Sequence, residues 1–145
     1  MIPVLPYKTN RIAHIGIAVK NLDESLRLYQ EGLGLSLHGR ETVESDQVSV
    51  AFLPVGDTGV ELLEPTGPES PIARFIEKRG EGIHHVAFEV DDIVKALSVL
   101  RDQGFRLIDE EPRIGSGGIR VAFLHPRSTH GVLIELCEKQ MANGK

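Results

Sequence analysis

The chain repeats itself, and that limits its possible folds more than its composition does. The segment from His14, HIGIAVKNLDESLRLYQEGLGL, can be laid over the segment from His85, HVAFEVDDIVKALSVLRDQGFRL, at an offset of 71 residues. His14 meets His85, Val19 meets Val90 and Leu26 meets Leu97. The same offset carries Val50-Ala51-Phe52-Leu53 onto Val121-Ala122-Phe123-Leu124, four identities in a row. Glu61-Leu62 then meets Glu135-Leu136 at an offset of 74, because the second copy has a longer turn. Self-similarity at a fixed period marks a unit of structure used more than once. Two copies of one module fill most of the 145 residues.

Local patterns agree between the copies. IAHIGIAV and HHVAFEV are short, rich in β-branched residues and end at polar turns, which predicts strands. Asn21, with Glu24 three residues on, is a capping box that opens a helix with Leu22, Leu26 and Tyr29 on one face. Gly32 or Gly34 ends it. In the second copy Asp91 or Asp92 caps, Ile93, Leu97 and Leu100 form the apolar stripe, and Gly104 stops the helix. Strand-like runs follow at Ser36–Arg40, Val48–Leu53 and Val60–Glu64, then at Arg106–Glu110, Ile119–Leu124 and Val132–Glu138. Each copy therefore reads βαβββ, and the fold class is α+β. Module 1 covers about residues 11–65 and module 2 about residues 83–138, within one domain of residues 1–145. Between them Ser70 as cap and Pro71 at the first helical position begin a linking helix over about residues 70–79, through Phe75 and Ile76. The tail from Met141 to Lys145 is expected to fray.

Composition removes several function classes. Sixteen Lys and Arg against 21 Asp and Glu give a net charge of −5, so no basic footprint exists for nucleic acid or a membrane surface. Five Phe, two Tyr and no Trp leave too few rings for a base-stacking platform. One cysteine, Cys137, excludes an intramolecular disulfide or a CxxC zinc site and reads as a small core residue. No run approaches the roughly 18 apolar residues of a membrane span. The N-terminus, with two prolines and no long apolar core, does not read as a signal peptide, and a cytoplasmic protein is expected.

Four polar residues stand inside apolar strands: His14, Glu61, His85 and Glu135. A lone histidine at a strand start ordinarily caps or half-faces water, and a lone glutamate in an IEL run ordinarily faces solvent. Recurrence of the same pair at equivalent positions argues otherwise, because a solvated face needs no matching identities. Two His and two carboxylates suit zinc, cobalt, nickel, manganese or ferrous iron. If both modules curve around a common cleft, two ligands from each converge there, and an octahedral shell keeps two positions open. Strand alternation selects His85 over His84, which is expected on the other face or at the strand's edge. Arg113, Arg120 and Arg127 are weaker candidates for anion contacts, and Gly115-Ser116-Gly117-Gly118 reads as a hairpin loop. His38, His125 and His130 lie in turns.

HIGIAV, GVELLEP at residues 59–65, SPIARFIEKRGEGIHHVAFEV at 70–90, DEEPRIGSGGIRVAFLHP at 109–126 and HGVLIELCE at 130–138 carry a family resemblance. Over residues 11–138 the chain resembles the vicinal oxygen chelate superfamily, and within it the methylmalonyl-CoA epimerase family. The LHP turn followed by HGVLIEL is the specific part. The His, Glu, His, Glu set alone is shared with glyoxalase I.

The resemblance implies a glyoxalase/bleomycin-resistance-like fold, in which the two modules form a curved mixed sheet around a metal-binding cleft. It implies that His14, Glu61, His85 and Glu135 bind a divalent metal. It also implies interconversion of the 2R and 2S epimers of methylmalonyl-CoA, by removal of the C2 proton through a stabilised enolate, in propionate metabolism. Glu135 is then the first choice of base, and Glu61 has the equivalent place in the other module. The expected partner is an acyl-CoA substrate, and a homodimer follows by analogy. One position departs from the family: some epimerases carry Gln at the place of Glu61 and a basic Glu where this chain has Val50. Either Glu61 takes both roles, or Gln47, Glu41, Glu44 or a water replaces the second base. Two alternatives compete with this reading. One is a glyoxalase I-type isomerase of a glutathione hemithioacetal, and the other a non-catalytic small-molecule binding protein of the same fold.

Overall fold

The computed structural model describes residues 4–140, so the tail expected to fray, Met141 to Lys145, lies outside the described residues. The first module is β1 (Thr9–Ala18), α1 (Leu22–Leu26), β2 (Gly39–Val43), β3 (Val48–Val55) and β4 (Thr58–Pro65). A linking helix α2 (Pro71–Arg79) leads to β5 (Gly82–Val90), α3 (Ile93–Asp102), β6 (Arg113–Ile114), β7 (Arg120–Leu124) and β8 (Ile134–Glu138). Both copies have the βαβββ order. The strands are hydrogen-bonded in the order β2-β3-β4-β1-β5-β8-β7-β6, with parallel and antiparallel neighbours in one mixed sheet. The chain divides into two compact units, one of His14–His85 and one of the chain up to Ala13 and from Val86, so β1 and β5 each contribute to both. Among the described residues, no helix is long and apolar enough to cross a membrane.

The helices start where their caps stand. Asn21 Oδ1 accepts the N–H of Glu24 at 2.8 Å, Asp92 Oδ1 that of Lys95 at 3.0 Å, and Ser70 Oγ that of Ile72 at 3.1 Å. Each cap satisfies a donor that the first turn leaves without a helical partner. α1 places Leu22 and Leu26 on Ala51, Leu53 and Leu62, then widens into a π-helical turn over Arg27–Gly32. α3 places Ile93, Ala96 and Leu97 on Val90, Ala122, Leu124 and Leu136. α2 puts Ile72 on the other sheet face of its unit, against Ala18, Val48, Val50 and Leu63.

Two strand expectations need correction. The run Ser36–Arg40 is not a strand as placed, since pairing with β3 covers Gly39 to Val43. Leu35 and Leu37 pack against the α1 cluster, so their alternation reflects burial in an extended connection and not a ladder. The run Arg106–Glu110 forms no strand, only a single bridge from Leu107 to Leu124. Asp109 Oδ2 takes the N–H of Phe123 at 2.8 Å, and the N–H groups of Ile108 and Asp109 both turn to the Phe123 carbonyl. A side chain thus replaces the ladder bond there. β6 forms instead at Arg113–Ile114.

β7 and β8 are tied by a fork. Arg120 Nε and Nη2 donate to the two oxygens of Glu138 at 2.8 and 2.9 Å, and the Ile93 N–H reaches Glu138 Oε2 at 3.1 Å. The Arg120 hydrogen bonds hold the Glu138 carboxyl below its ordinary range, helped by the Ile93 N–H and opposed by burial. A depressed carboxyl contributes stability above its unfolded pKa and loses it as pH falls through the folded value. Glu138→Gln should therefore lower stability at pH 7 by about 1 kcal/mol. That deficit should shrink as pH drops below the ordinary carboxylate range, and melting curves at pH 7 and pH 3.5 check both.

Candidate functional site

Three of the four singled-out residues meet inside the unit His14–His85. His14 on β1 and His85 on β5 face each other with Nε2 atoms 3.1 Å apart, their rings edge to face at 85°. On the other side of the His14 ring, Nδ1 lies 3.2 Å from Glu61 Oε2. The register explains the carboxylate: β1 runs parallel to β4 with Gly16 opposite Glu61, so His14, two residues back, shares its face. His85 is buried at 6 % exposure.

Gly16 leaves the space for this pair. A Cβ on Gly16 would stand 2.2 Å from His85 Cε1 and 2.6 Å from its Nδ1, so the His85 ring occupies the volume that any other residue would fill. His84 is the second residue beyond the predicted set. Its Nδ1 lies 3.0 Å from His85 Nδ1, and its ring meets Phe75 of α2 edge to face at 5.0 Å. Strand alternation placed His84 on the other face or at the strand's edge; from its position near the beginning of β5 its ring reaches that of His85.

Glu135 belongs to the other unit. It sits in β8 opposite Ala87 of β5 and Phe123 of β7, and at 7 % exposure it is among the few buried charged residues. Leu136, the next residue, points the other way into the α3 cluster. Glu135 therefore occupies the sheet face that α3 does not cover.

At 3.1 Å one Nε2–H can donate to the other, bare Nε2, and with both nitrogens bare the two lone pairs would be offered to a cation instead. Two imidazoles with carboxylates beside them suit a metal of intermediate character. The residues present fit such an ion.

The glyoxalase/bleomycin resistance protein/dioxygenase superfamily model matches residues 13–123, well over half of the chain. The chain belongs to that superfamily. It is similar to the mitochondrial methylmalonyl-CoA epimerase of Dictyostelium discoideum, 42% identical over 130 residues, which cover 89% of this chain and 78% of that one. It is also similar to the ethylmalonyl-CoA/methylmalonyl-CoA epimerase of Cereibacter sphaeroides, 40% identical over 128 residues, covering 87% and 96%. A solved methylmalonyl-CoA epimerase in complex with methylmalonyl-CoA and ammonium superposes with a TM-score of 0.86 at 38% identity, covering 91% of this chain and 96% of that one.

Within this superfamily member the weaker candidates have structural duties. Arg120 is held by Glu138, and Arg113 stands 3.6 Å from Asp109 and over the Phe123 ring. His125 Nδ1 caps the short turn at Arg127, and His130 has a left-handed backbone. Cys137 is buried against the Phe88 carbonyl. Val50, at 2 % exposure, packs with Ile72 and Leu63 and offers no proton-transfer group. Of the residues near it in sequence, Glu41 is the one directly opposite in the register, while Glu44 and Gln47 lie in the turn. Sequence reasoning missed Gly16 and His84. The available signals were a glycine between apolar strand residues, two positions from a ligand candidate, and the His-His doublet itself.

Proposed function

We propose that the protein is a methylmalonyl-CoA epimerase that holds a divalent metal with His14, Glu61, His85 and Glu135. One observation carries the reading: a facing pair of imidazole nitrogens with a carboxylate on the ring of one of them. It occurs in a chain that matches, over 87–89% of its length, relatives named methylmalonyl-CoA epimerase and ethylmalonyl-CoA/methylmalonyl-CoA epimerase. The reading takes residues 1–145 as one working domain, an acyl-CoA as substrate, a homodimer as assembly and the cytoplasm as setting. Cobalt, zinc, nickel, manganese and ferrous iron all suit this donor set, and their selection follows availability as well as ligand type.

The reacting carbon lies between a thioester carbonyl and a carboxylate, and its proton is too weakly acidic for a lone side chain at neutral pH. A bound divalent cation supplies Lewis-acid polarisation of the substrate oxygens. The chain's own carboxylates must then move the proton. Epimerisation needs one group to take it from one face of C2 and another to return it to the opposite face. Glu135 is the first of these groups. Glu61 occupies the equivalent place in the other copy of the repeat and takes the second role that Val50 cannot fill. A carboxylate with one oxygen at His14 has a second oxygen to offer. Ala87 of β5 and Phe123 of β7 stand opposite Glu135 in the register.

The test is incubation of the metal-loaded protein with one epimer of methylmalonyl-CoA in heavy water. Deuterium at C2 and the opposite epimer should appear together, and both should be lost with EDTA and fall by about 100-fold or more in His85→Ala. Exchange without inversion would leave Glu135 working and remove Glu61 from the second role. No exchange above background in a metal-replete sample would overturn the reading and direct the assay to the glutathione hemithioacetal.

A further inference from the structure

We propose that His84 is a positioning residue: it holds the Nδ1 edge of His85 so that Nε2 is presented towards His14. The proposal rests on the metal reading above and adds a residue to it. His84 and His85 approach through their Nδ1 atoms at 3.0 Å, while the opposite edge of His85 faces His14 at 3.1 Å. A neutral imidazole carries one proton, and a nitrogen that gives its lone pair to a cation must be the bare one. With Nε2 of His85 bare, its proton sits on Nδ1 and is donated to His84 Nδ1. His84 must accept there, which places its own proton on Nε2. Metal-binding histidines commonly have the second nitrogen fixed in this way by a carboxylate, carbonyl or water, and here the neighbouring imidazole does it.

At the other ring, Nδ1 of His14 has Glu61 Oε2 at 3.2 Å, which leaves the second oxygen of that carboxylate for the roles proposed above. His84 is itself fixed. Phe75 of α2 meets it edge to face, and the Arg79 guanidinium lies 5.8 Å above the Phe75 ring. α2 thus acts on His85 through Phe75 and His84. The linking helix, which the repeat leaves without a counterpart, thereby gains a role in setting the site.

The experiment measures divalent-metal affinity by chelator competition, together with the visible spectrum of the cobalt-loaded protein. It compares wild type with His84→Ala, His84→Phe and His84→Asn. Loss of the acceptor should weaken metal binding by about 10–100-fold in His84→Ala. His84→Phe, which keeps the ring against Phe75, should lose as much and show an altered cobalt spectrum. His84→Asn, which keeps an acceptor oxygen, should recover most of the affinity. Affinity within about threefold of wild type in both His84→Phe and His84→Ala would overturn the proposal. So would a His84→Phe protein that binds like wild type while His84→Ala does not, since packing alone would then be the role. If His84→Ala fails to fold by circular dichroism, the Phe and Asn variants decide. A wild-type protein that binds no divalent metal overturns the metal reading itself, a result distinct from normal wild-type binding with insensitive variants.

Discussion

Glu135→Gln should cut epimerisation by about 100- to 10,000-fold while the protein keeps its melting temperature to within a few degrees. The substitution keeps the size and shape of a side chain that is buried between Ala87 and Phe123, so packing in the second unit changes little. What it removes is the ability to take a proton from carbon. Amide nitrogen and oxygen are too weakly basic for that, although the oxygen remains a possible ligand. The loss should therefore fall on kcat more than on KM, the pattern of an interaction made only in the transition state. On the proposed assignment of Glu135 and Glu61 to opposite faces of C2, exchange into the two epimers should respond unequally. In heavy water the epimer whose proton Glu135 removes should lose its exchange, while the other can still exchange through Glu61. Equal residual exchange from both epimers would assign the proton transfer to a single group other than Glu135.

The legible parts of this chain were those set by local chemistry. Asn21, Ser70 and Asp92 announce helix starts because each side chain satisfies a nearby backbone donor, a relation that spans only two or three residues. Gly104, with a φ of +90°, ends α3 where a left-handed residue is required. The repeat exposed His14, Glu61, His85 and Glu135 because it compares distant positions without needing their coordinates. Elements decided by partners far along the chain were harder to read. β2 begins at Gly39 because Phe52 on β3 sets its register, and nothing between Ser36 and Arg40 encodes that choice. Arg106–Glu110 has strand composition, yet Asp109 takes the Phe123 N–H in place of a ladder bond. His84 looked like the outward neighbour in a strand, because alternation describes Cβ directions and not where a ring's far edge reaches.

Gly16→Ala should damage the site more than the fold, and its effect should appear in metal content before it appears in stability. A single methyl at this position would overlap the His85 ring, with separations of 2.2, 2.6 and 2.8 Å to Cε1, Nδ1 and Nε2. Three ring atoms within 3 Å leave no small rotation that clears the methyl, so the imidazole must swing away from β1. That movement breaks the Nε2 approach to His14 and the Nδ1 contact with His84 together. Backbone conformation is not the obstacle, since Gly16 lies in a regular strand and has no positive φ. The cost to folding is therefore an overpacking term of about 1–3 kcal/mol. The cost to the site is larger: with one imidazole displaced, metal affinity should fall by at least about 100-fold, and epimerisation should fall with it. Metal analysis after dialysis, set beside the melting temperature and the heavy-water assay, separates the two. A Gly16→Ala protein that keeps stoichiometric metal and full activity would mean that His85 does not hold its ligand position across Gly16 in solution. A pairing of Gly16→Ala with His85→Ala should restore the stability lost to the methyl and leave activity absent. That outcome would identify the ring itself as the reason this strand position must be glycine.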